Sequence, residues 1–144
     1  MTHDDAGHYA AKHPNGAKVS EALLEAVQKA AYQGKISCAQ AFKVVRTHGV
    51  EPLEVGMAVD MLEIKIERCQ LGLFGYGSRK RIVEPATQID DTIKEAVEKV
   101  CVDGRVSCAA CWDIAARFSC PKMDVAALCE ALSIKISPCQ LGSF

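Results

Sequence analysis

Cys108 and Cys111, spaced as Cys-x-x-Cys, could grip a soft metal or cycle between dithiol and disulfide, and Cys139 and Cys120 could complete a tetrahedral set. The other chemistry is cationic. Lys43 and Arg46, with His48 beside them, and the run Arg79-Lys80-Arg81 could hold phosphates by charge without reading a base sequence. No Gly-rich phosphate cradle, His-Glu-x-x-His motif or nucleophile elbow is present. No enzymatic activity, catalytic residue or cofactor is therefore expected.

What must position these groups is one small unit written twice. Ile64-Lys65-Ile66-Glu67-Arg68-Cys69-Gln70-Leu71-Gly72-Leu73-Phe74 returns as Ile134-Lys135-Ile136-Ser137-Pro138-Cys139-Gln140-Leu141-Gly142-Ser143-Phe144, and the alignment runs back without a gap to Glu21 and Asp91. A side chain kept in both copies answers to shared architecture, and one present in a single copy is local. Cys101, Cys111, Cys120 and Cys129 align with Ala31, Ala41, Val50 and Val59, so these thiols read as core-sized side chains, with a metal or redox site as the weaker alternative. Cys38 with Cys108, and Cys69 with Cys139, recur in both copies. His48 becomes Phe118 in the second copy, which suits a helix surface or edge.

The 144 residues carry a net charge of −1, which excludes a generally basic nucleic-acid binder. The distribution is uneven. Residues 17–82 hold ten basic and seven acidic groups, a net of +3, whereas residues 83–144 hold six basic and nine acidic groups, a net of −3. No apolar signal-like segment opens the sequence and no run is long enough for a bilayer, so cytoplasmic residence with reduced thiols and no membrane contact is expected.

The organisation expected is a flexible tail at 1–17, a first repeat at 18–75, a basic linker at 76–87 and a second repeat at 88–144. His3, His8 and His13 lie in the tail, where a solvated leader is favoured over copper or nickel capture. In the first repeat Ser20 caps a helix with Leu23, Leu24, Val27, Ala30 and Ala31 on one face, and Gly34 stops it. The counterpart face in the second repeat is Ile93, Val97, Val100 and Cys101. A second helix starts at Ser37, where Ser37-x-x-Gln40 forms a capping box. Pro52 opens a third helix with Val55, Ala58, Val59 and Leu62 as its buried stripe, matched by Val125, Leu128, Cys129 and Leu132. The alternation Ile64-Lys65-Ile66 reads as a strand, and Gly72 and Gly142 mark bends.

Three helices and a short extended arm, twice over, resemble the winged helix-turn-helix superfamily. Ser37 to Gly49 would be the second helix, Pro52 to Leu62 the third and Ile64 to Leu71 the wing. A closer similarity is to the amino-terminal domains of molybdate-responsive (ModE-like) regulators. The fold class expected is therefore mainly α, two tandem winged-helix-like repeats. The resemblance implies that the third helix enters the major groove of double-stranded DNA while the wing touches the adjacent groove.

The third helices depart from that pattern. Off the buried stripe they carry Glu54, Met57, Asp60 and Met61 in the first copy and Asp124, Ala127, Glu130 and Ala131 in the second. Carboxylates are repelled by phosphate and release no counterions. Two functions are thus expected: a transcription regulator binding DNA weakly or with help, through Lys43, Arg46, Arg79, Lys80 and Arg81, or a protein-interaction or homodimerisation module that has lost DNA reading. Met57 and Met61 point to protein contact, or to the core if the helix is rotated. A thiol-based metal or redox sensor using Cys108, Cys111 and Cys139 ranks third.

Overall fold

A computed structural model describes residues 19–144; the tail expected at 1–17 lies outside them. The chain is mainly α. Its elements run α1 (Glu21–Ala30), β1 (Lys35–Ser37), α2 (Cys38–His48), α3 (Pro52–Met61), β2 (Lys65–Glu67), then α4 (Asp91–Val100), β3 (Arg105–Val106), α5 (Cys108–Arg117), α6 (Lys122–Ala131) and β4 (Lys135–Ile136), with one 3-10 turn at Gly77–Arg79.

Local chemistry sets the helix ends. Ser20 Oγ accepts from Leu23 N at 3.2 Å, Ser37 and Gln40 close a capping box, and Ser107 Oγ accepts from Ala110 N at 3.1 Å. Pro52, with no N–H to lose, stands in the first turn of α3, and Gly49 ends α2 at φ +61 in the left-handed region.

The strands differ from expectation. β1 follows the turn where a direct passage into α2 was expected, and it pairs with β2 in parallel, Lys35 opposite Lys65 and Ile36 opposite Ile66. The second half repeats this, with Arg105 opposite Lys135 and Val106 opposite Ile136. The extended arm is therefore one strand of a small parallel sheet that buries Ile66 or Ile136. It is no antiparallel hairpin.

The compact units are offset from the sequence copies. One unit comprises the chain up to Cys69 together with Leu141–Phe144; the other comprises Gln70–Gln140. The first has a core of Leu23, Val27, Ile36, Phe42, Val55, Ala58 and Val59, and the second of Val97, Val106, Ile114, Val125, Leu128 and Cys129. Val100, expected on the buried face of α4, is 42% exposed because it occupies the last helical position before the turn. The expected linker is also part of a unit: Ile82 N and Val83 N donate to Gly72 O at 2.9 and 3.2 Å, and Ala86 N donates to Ala127 O at 3.0 Å.

Candidate functional site

In the first unit α3 is buried on more than the one expected stripe. Val55, Ala58 and Val59 belong to the helical core, and Gly56 and Asp60, one turn apart, are buried as well. The segment Leu141–Phe144 accounts for part of this. Leu141 and Ser143 are buried, and a Cβ placed on Gly56 would overlap the Leu141 carbonyl oxygen. Only glycine lets that backbone lie so close to the helix.

The second unit covers the corresponding helix with residues 72–86. Ala126, at the position matching Gly56, is buried. Met123 Cε lies 3.4 Å from where a Cβ on Gly72 would sit, and Ala127 O accepts from Ala86 N. Arg81 Nη2 meets Glu130 Oε2 at 2.7 Å. The expectation that Asp60 and Glu130 turn bare carboxylates to solvent is thus corrected. Asp60 is 5% exposed, and Glu130 is half-buried under a guanidinium. Glu130 meets a residue 49 positions earlier in the sequence. Glu54 and Asp124 remain exposed.

The expected phosphate contacts fall in different units. Lys43 and Arg46 stand exposed on α2 in the first unit, with no carboxylate at ion-pair distance among the described residues, and His48 is exposed at the end of that helix. Arg79, Lys80 and Arg81 belong to the second unit, where Arg79 lies 3.8 Å from Glu84 and Arg81 is held by Glu130. Such part-exposed pairs contribute only about 0–1 kcal/mol each, but they reduce the charge left for a polyanion.

Met57 is half-buried and Met61 is 39% exposed. With Leu53, 59% exposed, they fall at i, i+4 and i+8 on one face of α3. The matching positions in the second unit, Met123, Ala127 and Ala131, are all half-buried, the first two beside residues 72–86.

Six of the cysteines are buried, and Cys101 and Cys120 are half-buried. Cys111 and Cys129 meet between α5 and α6. The thiol of Cys111 donates to the Cys129 sulfur; that hydrogen bond and then burial push Cys111 up, while the same hydrogen bond, against the opposing effect of burial, holds Cys129 below an ordinary thiol. Gln140 Nε2 approaches Cys108 Sγ at 3.4 Å. Among the described residues no group of three or more Cys, His, Asp or Glu side chains is arranged to hold a metal ion. Partial burial, and then the Asp124 carboxylate, push the Cys120 thiol up. Thiol alkylation of the native chain should accordingly modify Cys101 first, Cys120 next and the six buried thiols only on unfolding, as peptide mapping by mass spectrometry would show.

A shallow open depression of about 440 Å³ lies over Trp112, Cys120 and Lys122, with Lys122 Nζ 4.7 Å from the Trp112 ring centre. Phe42, Val50 and Pro52 take those positions in the first copy, so the feature is local to the second unit.

Besides Lys29, which matches Lys99, both copies keep two cations that sequence reasoning overlooked. Lys35 matches Arg105 and Lys65 matches Lys135, whereas Lys43 and Arg46 align with Asp113 and Ala116. The repeat itself carried that signal. The strand register brings each kept pair side by side.

No family model, curated protein or solved structure matches the chain. Among the described residues no helix is long and apolar enough to cross a membrane.

Proposed function

We propose that the chain is a non-enzymatic protein-interaction module of regulatory type, built from two winged-helix-related units whose third helices receive extended peptide segments instead of a DNA groove. One observation carries this reading. Gly72 lies beside Met123 of α6 and Gly142 beside Leu53 of α3, and Ala127 O accepts from Ala86 N; yet on the α3 face Leu53 stays 59% and Met61 39% exposed, whereas Met123, Ala127 and Ala131 are all half-buried. A partner that lays an extended apolar segment along α3 would bury that stripe as residues 72–86 cover its counterpart. A second copy of this chain is the simplest such partner.

Light scattering over a concentration series tests this. Self-association should be present in the full chain and reduced at least tenfold when Leu53 and Met61 are both changed to Ser, with the fold retained in far-UV circular dichroism and a modest fall in thermal midpoint, since Leu53 is 59% but Met61 only 39% exposed. Sequence-dependent binding to duplex DNA that is lost on changing Glu54 or Met61 would overturn the reading, because it would place α3 in a groove.

Weak duplex contact through Lys43 and Arg46 remains the second reading, supported by their exposure on α2. Changing both to Gln should then lower low-salt binding to all duplexes alike, because phosphate contacts carry no base preference.

A further inference from the structure

The short strands place an aromatic ring and two cations in one row. At the turn after α1, Gln33 and Gly34 have φ +50 and +75, and Tyr32 and Lys35 exchange both backbone hydrogen bonds, at 2.7 and 3.0 Å. Residues paired in that way project to the same face of the ribbon. Lys35 is in turn the parallel register partner of Lys65, whose N–H donates to Gly34 O at 2.9 Å. Those two side chains also share a face, opposite Ile36 and Ile66, which enter the core. Tyr32 is 76% exposed, and both lysines are exposed.

Two like charges directly opposite on neighbouring strands destabilise a sheet. The arrangement nevertheless occurs twice, since Arg105 lies opposite Lys135 in the second unit. Among the described residues none of the four cations has a carboxylate at ion-pair distance. Glu67, two residues beyond Lys65 on the same strand face, is the one acidic neighbour along β1 and β2, and Ser137 replaces it in the second unit. A repulsive pair kept in both copies, and left without a local counterion, fits an anion supplied from outside. The exposed ring beside it selects among anions, because a planar base can stack on tyrosine while a carboxylate cannot.

We infer that Tyr32, Lys35 and Lys65 form a contact site for single-stranded nucleic acid, the lysines sharing a backbone phosphate and the ring stacking one base. Arg105 and Lys135 form the corresponding phosphate contact in the second unit, where Val102 stands in place of the ring. This site is separate from the α3 stripe and does not depend on the protein-interaction reading.

Fluorescence anisotropy of the full chain with a labelled oligothymidylate of about 20 nucleotides tests the inference. Tyr32→Ala should weaken binding roughly tenfold while Tyr32→Phe restores it, as stacking requires. Changing Lys35 and Lys65 together to Gln should reduce the slope of log affinity against log salt by about 0.7, the value for one neutralised phosphate on a single strand. The thermal midpoint of that double variant should stay level or rise, because the substitution relieves like-charge repulsion. Absence of binding at low salt, equal affinity for Tyr32→Ala, an unchanged slope, or displacement by duplex DNA or polyglutamate as effective as by unlabelled oligothymidylate would each overturn the site.

Discussion

Gly56→Ala should destabilise the first unit by about 2–4 kcal/mol, even though the same change inside an ordinary helix gains about 1 kcal/mol from propensity. The sign reverses because the new Cβ would overlap the Leu141 carbonyl oxygen, a backbone atom that cannot rotate away. Either α3 shifts or residues 141–144 lift off. Lifting off exposes Leu141, now 2% exposed, and loses on the order of 1.5–3 kcal/mol of apolar burial. Far-UV circular dichroism during denaturant unfolding would measure the loss, and carboxypeptidase should release the last four residues faster from the variant. Ala126 in the second copy supplies the control. Ala126→Gly should cost only about 1 kcal/mol of helix propensity.

Leu71→Ala should cost the second unit about 2–5 kcal/mol. Leu71 is fully buried and immediately precedes Gly72, which bends at φ +76 and accepts hydrogen bonds from Ile82 and Val83. Removing the isobutyl group leaves a cavity at the start of the segment that covers α6. The chain has one tryptophan, Trp112, and it lies in the second unit, so its fluorescence reports this loss directly. Arg81→Ala should produce a much smaller effect, about 0–1 kcal/mol, because its pairing with Glu130 is partly solvated.

Both expectations concern segments whose role was only half written in the sequence. The repeat, the helices and their caps were legible, because Ser20, Ser37, Ser107 and Pro52 act within four residues of the backbone groups they satisfy. The bends at Gly72 and Gly142 were legible for the same reason. Strand β1 was not. Three residues, Lys35-Ile36-Ser37, are too few to show alternation, and the partner that makes them a strand lies 30 positions later. Gly75 to Arg81 had the composition of a linker, yet the hydrogen bonds of Ile82, Val83 and Ala86 and the Arg81 pair fix the stretch within the second unit.

The candidate site was misjudged for the same physical reason. Asp60 followed the helical period of a solvent-facing position, but it is buried. Met57 is half-buried and Met61 39% exposed, and Leu53 lies on the same face. The basic run at Arg79 to Arg81 stood out by density. Lys35 and Lys65 did not, since only strand pairing makes them neighbours.

In the first unit α3 is covered along Gly56 by the segment beginning at Leu141. Nuclear Overhauser contacts from Gly56 Hα in the isotope-labelled full chain measure this directly. Cross-peaks to Leu141 and Gly142, with Leu141–Phe144 shifts dispersed away from random-coil values, are the predicted result. Random-coil shifts for those four residues and no cross-peak to Gly56 would contradict it, leaving the third helix open on the side where a groove-reading helix meets DNA.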